Sequence, residues 1–113
     1  MPRPMKSRCV CTRPEADYFK PRGIPMNELA EVVLTLDEFE ALHWADGEGM
    51  YHVKAAQKLK VSRQTFGNIL KSARWKIADV LIHAKALKIE GGVVRFTQDL
   101  QPKAANSNTR SKS

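Results

Sequence analysis

The 113-residue sequence predicts a mainly α domain of three to four helices, with an extended N-terminal segment and room for one short β pairing. Three observations carry this. From Val53 to Leu70, VKAAQKLKVSRQTFGNIL places Ala55, Leu59, Val61, Phe66 and Ile69 where two short helices joined by a tight turn share a core. Upstream, Thr35 and Glu38 have the spacing of a capping box, and Leu36, Phe39, Leu42 and Ala45 follow at helical intervals. Downstream, Phe66, Ile69, Leu70, Ala73, Ile77, Val80, Leu81 and Ala84 keep to one stripe, so the last helix is long.

Residues 1–34 read as an extended segment packing on the helical core. Pro2, Pro4, Pro14, Pro21 and Pro25 forbid a long helix there, CVC suits a short strand, and Val10, Tyr18, Phe19 and Ile24 are the candidate anchors. Arg3, Lys6 and Arg8 make the extreme end a candidate basic arm. In NELAEVV, Asn27 is placed to cap one helical turn, and VVL leads into the first long helix. That helix starts after Thr35, is steered by a staple of Leu34 on Phe39, carries Asp37 and Glu38 in its first turn, and stops near Asp46 before Gly47 and Gly49. Trp44 lies off its buried stripe and reads as a packing residue.

The pair around Val61 has the pattern of a helix-turn-helix. The first of its helices runs from about His52 to Leu59, Ala56 is small at the crossing, and Ser62 is placed to cap the second by accepting from Gln64 or Thr65. Lys60 stands where the turn favours positive φ and glycine is usual, at a cost on the order of 1 kcal/mol. With Phe66, Ile69 and Leu70 turned inward, Arg63, Gln64, Thr65, Gly67, Asn68, Lys71 and Arg74 form the candidate DNA-contacting set, on the face with which a recognition helix reads base edges. The stripe beyond Leu70 implies a second packing job, either over the chain's own N-terminal segment or against the same helix of a second copy, and a homodimer is the expectation. Trp75, nearly opposite the stripe, serves either purpose, and Lys71, Arg74 and Lys76 around it keep a phosphate-facing role open. KALKIEGGVVRF reads as the helix end, a turn at Gly91 and Gly92, and a strand over 93–96 that must pair, CVC being the nearest partner. The domain thus spans 35–97, and residues 98–113 form a polar tail expected to be disordered.

The chain carries 19 Lys and Arg against 12 Asp and Glu, net +7, and the distribution matters more than the total. Residues 26–53 hold seven acidic groups and no basic one, whereas residues 54–88 hold nine basic and one acidic. The strongest positive block therefore coincides with the candidate recognition helix. A hydrophobic content of 42% suffices for one modest core, and no large catalytic cleft fits a chain this size. No grouping of nucleophile, base and acid suggests catalysis, so neither an enzyme nor a cofactor is predicted. Cys9 and Cys11 are too close together to staple a fold, and with no second Cys pair and no paired His they fall short of a structural zinc site. Without an apolar run of spanning length or a secretory signal, the expectation is a cytoplasmic protein.

PRP, FKPRGIP, EVVLTLDEFEAL, VSRQTFGNIL, SARWKIADVL and KALKIEGG together resemble uncharacterised protein family 0251, also domain-of-unknown-function family 134, over about Met1 to Gly92. Its bacterial and archaeal members are described as candidate DNA-binding proteins. The stretch from Leu34 to Leu81 is also similar to region four of bacterial sigma factors, which implies a helical domain placing Arg63 to Lys71 in a major groove. Lys60 departs from the family's usual glycine, and the second helix is more basic than is typical. The resemblance and the residues imply a sequence-selective protein of transcriptional regulation with double-stranded DNA as partner. Two other classes stay open: an interaction module docking on a protein such as RNA polymerase, and a redox or metal sensor using Cys9 and Cys11.

Overall fold

The computed structural model describes residues 7–96. Its elements in chain order are β1 (Arg8–Val10), β2 (Tyr18–Phe19), a 3-10 turn (Met26–Glu28), β3 (Glu31–Leu34), α1 (Leu36–Leu42), a π-helical turn (His43–Gly47), α2 (His52–Leu59), α3 (Arg63–His83), β4 (Ala86–Ile89) and β5 (Val94–Phe96). The fold is mainly α with more strand than the single pairing the sequence suggests. The expected arm at Arg3 and Lys6 and the tail from Gln98 lie outside the described residues. Among those described, no helix is long and apolar enough to cross a membrane.

The strands form two small sheets. CVC pairs with the C-terminal strand as foreseen, β1 running parallel to β5 with Arg8 opposite Val94 and Val10 opposite Phe96. In the second sheet β4 is central, antiparallel to β2 and parallel to β3, with Glu31 opposite Ala86 and Leu34 opposite Ile89. Parallel neighbours require a crossover connection. Here that connection is the whole helical unit, α1 to α3, whose two ends are thereby pinned to one sheet.

Several readings are corrected by this sheet. VVL is not a lead-in to α1 but most of β3, and ALKI is not the end of the long helix but β4. α3 stops at His83, and Ala84 caps it in the left-handed region at φ 53°, its N–H donating to the Val80 carbonyl. The short turn after Pro25 exists, with Pro25 rather than Asn27 at its cap. Arg8 is not part of a free arm: it is buried in β1, its Nε 3.6 Å from Asp37. Phe19 is no anchor, being half exposed, whereas Val10 is fully buried.

Two apolar clusters meet along α3. Ala41, Ala55, Ala56, Leu59, Phe66, Ile69 and Leu70 form the helical one, with Val61 and Trp44 packed against it. Leu34, Ala73, Leu87 and Ile89 form the second, joined by Phe39, Ile77 and Val80. The stripe is thus spent within its own chain, covering the sheet. Its last two members depart from that face, since Leu81 and Ala84 are exposed.

Helix α1 buries carboxylates rather than its apolar stripe. Leu36, Phe39 and Leu42 are only half-buried, while Asp37, Glu38 and Glu40 are buried. Each has partners. Glu38 closes the capping box on the Thr35 N–H at 2.9 Å, accepts from the Ser72 hydroxyl at 2.6 Å and takes the Lys76 ammonium at 2.8 Å. Glu40 accepts from the N–H groups of Cys11 and Thr12, both at 3.0 Å, from the Cys11 thiol at 3.1 Å and from the Trp44 indole at 2.6 Å. Trp44 is therefore a packing residue with a hydrogen bond.

Candidate nucleic-acid interface

α2 and α3 are joined by the three residues Lys60 to Ser62, with the boundaries that the sequence suggests. Lys60 sits at φ 57°, ψ 47°, the left-handed conformation that ends α2, and its N–H donates back to Ala56 and Gln57. A residue with a Cβ is disfavoured there, so the turn is strained locally and maintained by Val61 and Leu59 packed on either side of it. Ser62 then caps α3, its hydroxyl oxygen accepting from the Thr65 N–H at 3.0 Å. His52 of α2 meets the Phe66 ring of α3 edge-on, with centroids 5.4 Å apart.

This arrangement sorts the seven candidate contact residues. Arg63, Gln64, Asn68 and Lys71 are exposed, and none makes a hydrogen bond or ion pair among the described residues. Thr65 is half-buried, and its hydroxyl accepts from Ser62 at 2.9 Å, so its part is in the cap. Gly67 has helical φ, and a Cβ there would meet nothing within 4 Å, so neither backbone conformation nor packing in the free chain requires glycine. Arg74 is committed elsewhere: its Nε and a terminal nitrogen hold Asp46 at 3.1 and 2.6 Å, fastening the π-helical turn to α3. Hydrogen bonding by Arg74 holds the Asp46 carboxyl below its ordinary range.

Lys76, which the sequence leaves open as a phosphate contact, is likewise occupied by Glu38 and by the Val33 carbonyl at 2.8 Å. Lys85 is held by Asp79 at 3.0 Å and Lys88 lies 3.7 Å from Glu90. Four of the nine basic side chains between residues 54 and 88 are thus ion-paired. Lys54, Lys58, Lys60, Arg63 and Lys71 have no acidic partner among the described residues. All five lie on α2, the turn and the first half of α3, and Lys58 rests over the Trp44 ring at 4.8 Å. Pairing within the fold therefore concentrates the free positive charge at one end of the helical unit.

The thiols have a different character. Cys9 is buried, and the Cys11 thiol is pushed up to about 12 by burial and by its hydrogen bond to Glu40. A thiol held protonated is a poor nucleophile and a poor metal ligand. Among the described residues no group of three His, Cys, Asp or Glu is arranged to hold a metal ion.

The model of the family described as "Protein of unknown function DUF134" matches residues 1–97. Three relatives are similar to this chain over most of its length. A UPF0251 protein of Desulfosudis oleivorans is 49% identical over 92 residues, 81% of this chain and 67% of its own. One of Thermoanaerobacter sp. (strain X514) is 46% identical over 101 residues, 89% of each chain. One of Chlorobaculum tepidum is 54% identical over 92 residues, and the match spans 81% of this chain but only 60% of that longer protein. No solved structure matches the chain. By the family model and by these relatives, the chain belongs to the DUF134 family, the UPF0251 proteins.

Proposed function

We propose that this protein binds double-stranded DNA sequence-selectively through a helix-turn-helix formed by α2 and α3, in the service of transcriptional regulation and without catalysis. The observation that carries the reading is the exposed, unpartnered set Arg63, Gln64, Asn68 and Lys71 at the capped start of α3, amid the free cations. Arg63 offers the paired donors that match guanine, and Gln64 and Asn68 the donor and acceptor that match adenine in a major groove. Lys71 offers a point charge, suited to a phosphate. Lys54, Lys58 and Lys60 add sequence-independent attraction that weakens with salt.

The test is a duplex selected from a random pool, titrated beside a scrambled duplex at several salt concentrations. Replacing Arg63, Gln64 or Asn68 by Ala is expected to lower affinity for the selected duplex by about 1 to 3 kcal/mol and to narrow its margin over the scrambled one. Lys71→Ala should weaken both duplexes alike and reduce the salt slope by about one. Unchanged margins in all three base-reading variants would sink the proposal. The competing reading, an interaction module that docks on a partner such as RNA polymerase, would then be favoured, with the exposed Tyr51 and Val53 of the α2 start as its contacts.

A further inference from the structure

Arg74 follows Gly67 and Lys71 along α3 at steps of four and three, so it continues the side of the helix on which they stand, about two turns beyond Gly67. It is nevertheless held. One oxygen of the Asp46 carboxylate accepts from the Arg74 Nε at 3.1 Å and the other from a terminal nitrogen at 2.6 Å, which is the forked geometry in which a guanidinium also grips a phosphate. The two side chains are 53% and 45% exposed, so the carboxylate occupies, at the surface, the place a phosphate would take.

Asp46 stands apart from the acidic residues that precede it. Asp37, Glu38 and Glu40 of α1 are buried and answer partners inside the fold, Arg8, Lys76 and the Cys11 N–H among them. Asp46, on the π-helical turn, reaches across the surface to α3 instead. An exposed pair of this kind contributes little to stability, so its larger effect is on what Arg74 can reach.

We infer that Asp46 is an autoinhibitory residue of the DNA interface: it holds Arg74 away from the phosphate backbone and keeps a negative charge beside the recognition helix. The inference rests on the DNA-binding reading. Lys71, three residues earlier, shows the contrast, since it is exposed and has no acidic partner among the described residues. Withholding Arg74 lowers attraction to every duplex alike and leaves discrimination to Arg63, Gln64 and Asn68.

The experiment titrates the selected and the scrambled duplex, at several salt concentrations, with the full natural chain, Asp46→Ala, Arg74→Gln, the two combined, and Glu48→Ala. Glu48 stands two residues from Asp46 with only His43 beside it, at 4.0 Å, so its loss removes the same charge from the end of the same turn without freeing an arginine. Asp46→Ala is expected to bind both duplexes about three- to tenfold more tightly and to steepen the salt slope by about one. Adding Arg74→Gln should abolish the gain, and Glu48→Ala should leave the slope unchanged. Asp46→Asn, which keeps the size of the side chain without its charge, should move affinity and slope in the same direction, and it replaces the alanine variant if that one melts early. A chain that binds the selected duplex but shows no gain in either Asp46 variant overturns the inference and leaves the DNA-binding reading standing. An equal gain from Glu48→Ala, or a gain that survives Arg74→Gln, does the same. A natural chain that binds no duplex defeats both, so the two failures are told apart.

Discussion

At the scale of single residues, Lys60 and Gly67 present opposite mismatches between side chain and position. Lys60 occupies a left-handed conformation at φ 57° that costs a side chain about 1 kcal/mol, while Gly67 occupies an ordinary helical one. Lys60→Gly is therefore expected to raise stability by up to about 1 kcal/mol, a few degrees in melting temperature. Gly67→Ala should also stabilise, by roughly 0.5 to 1 kcal/mol, because alanine loses less backbone entropy and a Cβ there meets nothing within 4 Å. On the DNA-binding reading its methyl protrudes where bases approach, so the same variant should bind the selected duplex more weakly. A more stable Gly67→Ala protein with undiminished affinity would mean that this face of α3 does not closely approach DNA.

At the scale of elements, the joint between α1 and α3 is the polar one. Burial alone would raise the Glu38 carboxyl, but the Lys76 ammonium, the Ser72 hydroxyl and the Thr35 N–H outweigh it and hold it below the ordinary range. A carboxyl depressed in the folded state adds stability above its ordinary value, about pH 4.3, and that contribution disappears as the pH falls through the lower folded value. Thermal melts from pH 7 to pH 3 should show the gap between the natural chain and Glu38→Gln closing below about pH 4.5. A gap of constant width would show that the pair is not linked to folding. Ser62 acts on the other joint, and Ser62→Ala should remove about 1 kcal/mol through loss of the α3 cap.

At the scale of the whole molecule, Glu40 ties the segment after β1 to the helical unit. Its carboxylate is fully buried and accepts from Cys11, Thr12 and Trp44, so Glu40→Ala leaves four donors without their acceptor and opens a void. The expected cost is roughly 2 to 4 kcal/mol in urea denaturation, with the freed Cys11 thiol becoming open to alkylation at mildly alkaline pH. A variant as stable as the natural chain would show that this anchorage is dispensable.

What the sequence determined by itself is local chemistry: the capping box of Thr35 and Glu38, the Ser62 cap, the bounds of α2, the left-handed turn at Lys60 and the core around Phe66. Each follows from residues within a few positions of one another, where a side chain's shape or hydrogen-bonding group acts on its own backbone. The sheet was not legible, because EVVL and ALKI are four-residue stretches that become strands only by pairing across the helical unit. Nor was the division of the contact residues. Residues 54–88 look uniformly basic, and only the folded chain brings Asp46 to Arg74 and Glu38 to Lys76, partners 28 and 38 positions apart. The tertiary structure thus decided which cations are spent inside the molecule and which face outward, since ion pairing depends on distances of a few ångströms that sequence separation does not set.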